Sequence, residues 1–212
     1  MRIVFRRLGI LVIAGSICGL WSTANAQEPE RPGVTFAGEM EPPSSERGIY
    51  QRLILDLAAV WVGCDPDLMR RTLSADVDFS YPTNQVIGID AVLADLNVFC
   101  GIATERSIYF PKDAFYIDPA NHRIAAELQF RVTQNGQRQV VNDVWIATIR
   151  DGRIAVIKEY LDGRVKTLQA QGTLTYGEDA PFLTPWPPRA STLPSPPPET
   201  AAAGAPALPK RQ

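Results

Sequence analysis

Apolar residues in the first part of the chain recur at the three- and four-residue spacing of amphipathic helices. The first stripe predicts a helix that starts near Ser44 or Ser45 and ends near Gly63. Asp65 and Pro66 then provide an N-cap residue and a proline at the first helical position, so DPDLMRRTL predicts a short second helix. A third helix is predicted by a further apolar stripe: Ile89, Val92, Leu93, Leu96 and Phe99.

Outside the helices, the apolar residues follow patterns that are typical of strands. DVDFSYP, at 76–82, predicts one short strand that stops at its proline, and TNQVIG after it is turn-like. Asn-Gly and Asp-Gly pairs, which favour the positive φ angles of type I′ hairpins, separate the later apolar runs. Four long strands are predicted: Arg106–Tyr116, His122–Thr133, Gln137–Ile149 and Arg153–Leu161. The pattern therefore predicts an α+β domain over 44–175, in which a cone-like curved antiparallel sheet of a four-strand meander plus one short strand packs with three N-terminal helices.

The first 26 residues have the composition of a signal peptide. Arg2, Arg6 and Arg7 precede an apolar stretch, Leu8–Leu20, and Ala-Asn-Ala at 24–26 matches the small-x-small cleavage pattern. About 13 apolar residues are fewer than the roughly 20 that a membrane-spanning helix needs. We therefore expect a periplasmic or secreted protein with no membrane span after cleavage.

Two proline-containing segments flank the predicted domain. Residues 27–43 read as a linker, and residues 176–212 are rich in Pro, Ala and Ser. The second composition offers too little apolar surface to offset the entropy of ordering the chain. The expectation is a disordered Pro/Ala-rich tail.

Charge and cysteine content narrow the function classes. Without the three arginines of the signal peptide, 18 basic residues remain against 23 acidic ones, and this balance argues against nucleic-acid binding. Cys64 and Cys100 remain after cleavage, and exported chains meet an oxidising compartment. A Cys64–Cys100 disulfide is predicted, with two buried free thiols as the alternative.

Three segments carry a resemblance to a known family. FSYP after the second helix, GIDAVLADL at the third helix, and the closing VWIATIRDGRIAVIKEYLD resemble the nuclear transport factor 2-like superfamily, and more narrowly its SnoaL-like domains, over about 46–170. The resemblance implies a cone-shaped fold. That fold hosts isomerases, cyclases and hydrolases as well as proteins without catalysis, so it does not by itself assign an activity.

The catalytic residues of ketosteroid isomerases, which are members of this superfamily, do not recur here. The position that matches their general base is Tyr81, and the two positions that match their oxyanion-binding residues are Leu57 and, approximately, Trp145. Removing a proton from carbon near neutral pH requires a matched base. That isomerisation is therefore not expected.

The epoxide hydrolases of the superfamily match at one catalytic position of three. Two of their polar positions fall on Ala126 and Leu128, whereas the third falls on Glu159. Dehydratases of the superfamily use histidines, and the single histidine, His122, lies in a predicted turn. Glu159 is thus the one family catalytic position that keeps an acid.

Strand alternation adds a second acid. It places Asp143 on the same face as Trp145, and Glu159 on a face with Leu161. Asp143 can be interpreted in two ways, as an acid-base group in the cone or as a strand-end residue paired with Arg131 or Arg138. A buried Glu159 would require a partner, such as a proton shared with Asp143, the hydroxyl of Tyr81, or an arginine.

These considerations give a set of candidate residues. Asp143 and Glu159 are candidate catalytic residues, and the candidate ligand-binding residues are Tyr81, Trp145, Leu57 and Leu128. No metal-ligand spacing, phosphate-binding loop or nucleophile elbow is present, so no cofactor is expected. We expect an exported domain that binds a small apolar or amphipathic ligand. The alternatives are an isomerase, cyclase or hydrolase that uses the Asp/Glu pair, and a homodimeric envelope interaction module.

Overall fold

The computed structural model describes residues 29–174, and from Arg31 onward these belong to one compact unit. The predicted signal peptide and the Pro/Ala-rich tail lie outside the described residues. The helices and strands, in chain order, are β1 (Val34–Phe36), α1 (Glu46–Gly63), α2 (Pro66–Thr72), β2 (Leu73–Tyr81), β3 (Asn84–Ile87), α3 (Ile89–Ile102), β4 (Ala103–Phe110), β5 (Phe115–Asp118), β6 (Arg123–Gln134), β7 (Gln137–Arg150), β8 (Arg153–Leu161) and α4 (Gly163–Ala170).

The three predicted helices are confirmed, and the first two are capped at their N-termini by the side chains that the sequence indicates. Ser45 Oγ accepts a hydrogen bond of 3.0 Å from the Gly48 N–H at the start of α1. Asp65 Oδ1 accepts one of 2.9 Å from the Leu68 N–H at the start of α2, where Pro66 is the first helical residue. Such caps satisfy backbone donors that a helix cannot satisfy internally.

The sheet is open, curved and mixed, with the order β1-β4-β6-β7-β8-β2-β3, and β5 pairs with β6 beyond the end of β4. The two predicted hairpins of the meander are confirmed. Asn135 and Gly136 join β6 to β7, Asp151 and Gly152 join β7 to β8, and all four residues have positive φ. The sequence predicted an antiparallel sheet, but β2 runs parallel to β8 and β1 runs parallel to β4.

Several elements differ from the prediction in ways that have local causes. The first meander strand divides into β4 and β5 at Pro111, which has no N–H for a continuous ladder. The turn-like segment after the first strand contains β3, which forms a hairpin with β2. Residues 34–36, expected in a linker, form β1 on β4, because Gly33, at φ 79°, brings the chain against Arg106 and α1. The helix α4 was not predicted, since GRVKTLQA has only two apolar side chains that become buried, Val165 and Leu168.

The core lies between α1 and the concave face of the sheet. It includes fully buried residues from both layers, for example Ile54, Leu57, Phe79, Leu128 and Ile157. The predicted disulfide is present: Cys64, directly after α1, is bonded to Cys100 on α3, with their Cα atoms 6.1 Å apart. Among residues 29–174, no helix combines the length and the apolar character needed to cross a bilayer.

Candidate functional site

One cavity of about 520 Å³ opens between the helices and the concave face of the sheet. Its walls come from every layer of the domain: α1, β2, α3, β6, β7, β8 and α4 all contribute side chains. Cavities of this size accommodate small organic ligands. The position therefore matches the cone that the sequence resemblance implies.

Aromatic rings form a large part of the wall. The ring of Trp61, on α1, lies at 84° to that of Phe99 with 5.4 Å between their centroids, and at 79° to that of Tyr81 with 6.3 Å between theirs. Phe79 stacks on Tyr81 at 4.6 Å. Edge-to-face and stacked pairs of this kind are each worth about 0.5–1.5 kcal/mol beyond burial. The cavity is lined by six aromatic residues: Trp61, Phe79, Tyr81, Phe99, Phe130 and Trp145.

The register of the central strands brings the two candidate acids together. Trp145 is directly opposite Glu159, and Asp143 is directly opposite Leu161, on the β7–β8 ladder. The carboxyl groups of Asp143 and Glu159 share a hydrogen bond, and Trp145 Nε1 donates to Asp143 Oδ2 at 3.2 Å. Two carboxyl groups that are hydrogen-bonded to each other share a proton, because two negative charges in direct contact would repel each other.

Burial favours the protonated form of both carboxyl groups. Burial raises the pKa of Glu159 well above its ordinary value, and the charge of Asp143 and the hydrogen bond to it raise it further. Burial also raises the pKa of Asp143, but the hydrogen bonds from Glu159 and Trp145 oppose that rise. The pKa of both groups is therefore raised, and the pair shares a proton through its hydrogen bond.

The two acids hold different positions relative to the cavity. Glu159 is partly exposed and lines the wall, whereas Asp143 is only 3% exposed and is not part of the lining. Asp143 is two residues from Trp145 on the same buried face of β7, and its Oδ1 atom has no hydrogen-bond partner among residues 29–174. A ligand in the cavity would contact Glu159, and Asp143 would position it.

Two further polar side chains open on the cavity near its helical wall. Asp95 lies on α3, one turn before Phe99. Burial raises the pKa of the Tyr81 phenol, and the charges of Asp95 and Glu159 raise it further, so both acids lie near this phenol. The Tyr81 hydroxyl is buried and has no hydrogen-bond partner within the described part of the chain.

The helix α4 completes the mouth with Gly163 and Lys166. It is held by Gln169, whose Oε1 accepts from the Val140 N–H at 3.0 Å and whose Nε2 donates to the Val140 carbonyl at 2.6 Å. The side-chain amide thereby replaces a neighbouring strand at the point where β8 has ended. This anchor fixes Lys166, whose charge lowers the pKa of both Asp143 and Glu159.

The structure places some of the sequence-predicted residues in the cavity wall and others in the core. Tyr81, Trp145 and Glu159 line the cavity. Leu57 and Leu128, expected to contact the ligand, are instead fully buried in the core and do not line it. Trp61, one turn after Leu57 on α1, forms the wall in its place, and Leu128 lies opposite the equally buried Asp143. Asp143 bonds to Trp145 and Glu159, and of its two interpretations the pairing with an arginine is not found among residues 29–174.

Several lining residues were not singled out from the sequence. Asp95, Phe99 and Ile102 follow a helical spacing on α3 that marks one face of that helix, and this signal was available. Lys166 could not be found in the same way, because the polar sequence of α4 does not predict a helix. The lining includes the following residues beyond those predicted: Trp61, Phe79, Asp95, Val98, Phe99, Ile102, Phe130, Leu161 and Lys166.

Solved structures with a similar fold were found, although no protein-family model and no curated protein matches the sequence. TsrD from Streptomyces laurentii matches with a TM-score of 0.51 and 19% identity, over 61% of this chain and 99% of that protein. Two bacterial proteins that carry a SnoaL-like polyketide cyclase assignment also match. The one from Jannaschia sp. CCS1 has a TM-score of 0.51 and 17% identity, over 62% of this chain and 96% of its own. The one from Shewanella denitrificans OS-217 has a TM-score of 0.52 and 15% identity, over 59% of this chain and 99% of its own.

Proposed function

We propose that this chain, which has the SnoaL-like fold of the nuclear transport factor 2-like superfamily, binds a small amphipathic molecule in its cone. The observation that carries the proposal is the cavity of about 520 Å³, whose wall includes six aromatic side chains and the apolar residues Val98, Ile102 and Leu161. An apolar surface of this kind is favourable for ligand binding because contact with the ligand removes it from water. Polar groups at Glu159, Asp95 and Lys166 would orient the ligand.

Native mass spectrometry of the protein purified from its source organism tests this proposal. We expect a bound small molecule that is lost on denaturation. Leu161→Trp, which fills part of the cavity from β8, should abolish the adduct, whereas Val156→Trp on the same strand, outside the lining, should retain it. An adduct that persists unchanged in Leu161→Trp would place the bound molecule elsewhere.

A second candidate function is acid-base catalysis in the same cavity, and the shared proton of Asp143 and Glu159 favours it. Glu159 would act as a general acid toward a ligand oxygen, and Asp143 would take part as a positioning residue. The prerequisite is a protonated Glu159 near neutral pH. Carbon-detected NMR of the side-chain carboxyl groups should show Glu159 titrating well above an ordinary glutamate, and Asp143→Asn should bring it down. An ordinary titration of Glu159 in the wild-type protein would remove this candidate.

Export is part of the proposal. It is supported by Arg2, Arg6, Arg7, the apolar stretch and the Ala-Asn-Ala sequence at 24–26, and by the Cys64–Cys100 bridge, since disulfides persist in oxidising compartments. Intact-mass measurement after expression in a bacterium should give a periplasmic product that begins at Gln27. A product that keeps the first 26 residues would contradict export.

A homodimer is a further proposal, supported by exposed aromatic residues on the sheet. Tyr116, on β5, and Tyr160, on β8, are 58% and 57% exposed. Exposed aromatic side chains are more frequent at protein interfaces than elsewhere on the surface. Light scattering coupled to gel filtration should give twice the chain mass, and Tyr160→Asp should reduce it to one. A single-chain mass for the wild-type protein would exclude the homodimer.

A further inference from the structure

We propose that the ligand of the cone is an organic cation, with its apolar body against the aromatic wall and its amine or quaternary ammonium group beside Asp95. The inference rests on the ligand-binding function proposed above and adds the charge class of the ligand. It is carried by the position of Asp95, by the rings around it, and by the distribution of charge over the cavity wall.

Asp95 is a carboxylate without a counter-ion. Its side chain is partly buried and lines the cavity, on the same face of α3 as Phe99 and Ile102. Within residues 29–174 its side chain takes part in no ion pair or hydrogen bond, so no neighbouring cation offsets its charge. A cationic ligand would supply the missing charge.

The other charges of the cavity are already balanced. Asp143 and Glu159 share a proton, so the pair keeps one negative charge, and Lys166 interacts with both of them. One negative pair and one ammonium group offset each other on the β8–α4 side. The charge of Asp95, on the α3 side, is therefore left over.

The walls next to Asp95 suit a cation as well as an apolar body. Trp61 and Tyr81 line the cavity at 79° to each other, and Phe99 lies at 84° to Trp61. Rings set at right angles enclose a corner, and aromatic faces attract ammonium groups, tryptophan most strongly. Tyr81 is close enough to Asp95 for the carboxylate to raise the pKa of its phenol. The unpaired charge and the aromatic rings thus occupy one corner of the cone.

Ligands of the other charge classes fit these groups less well. A neutral ligand would remove water from Asp95 and provide no compensating charge, which costs affinity. An anion would gain Lys166 but would lie in the field of Asp95 and of the Asp143–Glu159 pair. The cation is the class that improves the charge balance.

The test compares three probes of similar size and different charge on the purified full chain by titration calorimetry. The probes are phenyltrimethylammonium, its uncharged carbon isostere tert-butylbenzene, and the anion benzoate. We expect the cation to bind at least about fivefold more tightly than the isostere, in line with cation–π attraction in a partly desolvated site. Benzoate should bind most weakly.

Two variants assign the preference to Asp95. Asp95→Asn should remove the preference for the cation, measured as the ratio of its affinity to that of tert-butylbenzene. Asp90→Asn, on the same helix but with its side chain 87% exposed and outside the cavity, should retain the preference. Lys166→Gln should raise the same ratio, and this variant keeps the inference testable even if Asp95→Asn does not fold.

The outcomes separate this inference from the function on which it rests. Equal affinities for the cation and the isostere, or tighter binding of benzoate, would overturn the inference and leave small-molecule binding intact. No binding of any of the three probes would count against both. A preference for the cation that survives Asp95→Asn would also overturn the role assigned to this carboxylate.

Discussion

The Cys64–Cys100 bridge joins the two helices that form one side of the cavity, and its removal is expected to weaken both the fold and the site. Cys64 follows α1 directly, and Cys100 lies in the last turns of α3. The bridge is three residues from Trp61 and one from Phe99, whose rings are in edge-to-face contact at 5.4 Å. Loss of the bridge would therefore loosen this wall first.

The magnitude follows from the length of chain that the bridge closes. The two cysteines are 36 residues apart in sequence, and closing such a loop removes entropy from the unfolded chain that corresponds to about 4 kcal/mol. A domain of this size is stable by about 5–15 kcal/mol. The reduced protein should thus lose between about a quarter and most of its free energy of unfolding.

Urea unfolding, followed by tryptophan fluorescence with and without reductant, measures this loss. We expect reductant to lower the unfolding free energy by about 4 kcal/mol in the wild-type protein and to have no effect on the variant Cys64→Ala, Cys100→Ala. The variant should itself match the reduced wild-type protein within about 1 kcal/mol, apart from the small packing change at each alanine. A loss below about 1 kcal/mol on reduction would refute the reasoning.

Three further predictions concern the pair of acids, the anchor of α4 and a close helix contact. The folded-state pKa of Glu159 lies above its ordinary value of 4.5, so above pH 4.5 the folded chain binds more protons than the unfolded chain. The free energy of unfolding should therefore fall as pH rises above 4.5, by at most about 1.4 kcal/mol per pH unit for one proton. Glu159→Gln should flatten this part of the stability curve, measured by urea unfolding at several pH values, while the surface variant Glu39→Gln should leave it unchanged. Gln169→Ala should lower the free energy of unfolding by about 2–4 kcal/mol and speed hydrogen exchange of the Val140 amide, because both backbone groups of Val140 lose their partner. The control Gln171→Ala should change neither the stability nor the exchange rate. Gly48→Ala should lower the melting temperature instead of stabilising α1, because the added methyl group would clash with the carbonyl oxygens of Pro42 and Glu41. The control Gly63→Ala, at a position with no atom near the added methyl group, should not lower the melting temperature.

The elements that the sequence predicted are those with strong local signals. Ser45 and Asp65 mark helix starts by their capping side chains, and the Asn-Gly and Asp-Gly pairs mark hairpins by their positive φ. Local chemistry of this kind acts within a few residues and is visible in the sequence. Of the elements that were missed, β3 pairs with β2 in a local hairpin, whereas β1 and α4 are stabilised by partners distant in the chain. The residues of β1, for example, pair with β4 more than 70 positions later.

The same distinction applies to the site. Alternation placed Asp143 and Trp145 on one face, and all the residues of that face are indeed buried. Alternation does not indicate where along a strand the cavity lies, however, so it did not separate Trp145, which lines the cavity, from Asp143, which is buried and does not line it. The position of the cavity depends on where α1, α3 and α4 cover the sheet, and that is a property of the packed domain.

Trp145 and Glu159 line the cavity, and Asp143 does not. The indole of Trp145 donates to Asp143 Oδ2 from two residues away, and Glu159 is the member of the acid pair that faces the cavity. Under the proposal made above, the carboxylate that attracts a charged ligand is Asp95, on a helix and not on the sheet. A similar fold does not by itself assign an activity, so the ligand has to be sought through the charge and shape of this cavity.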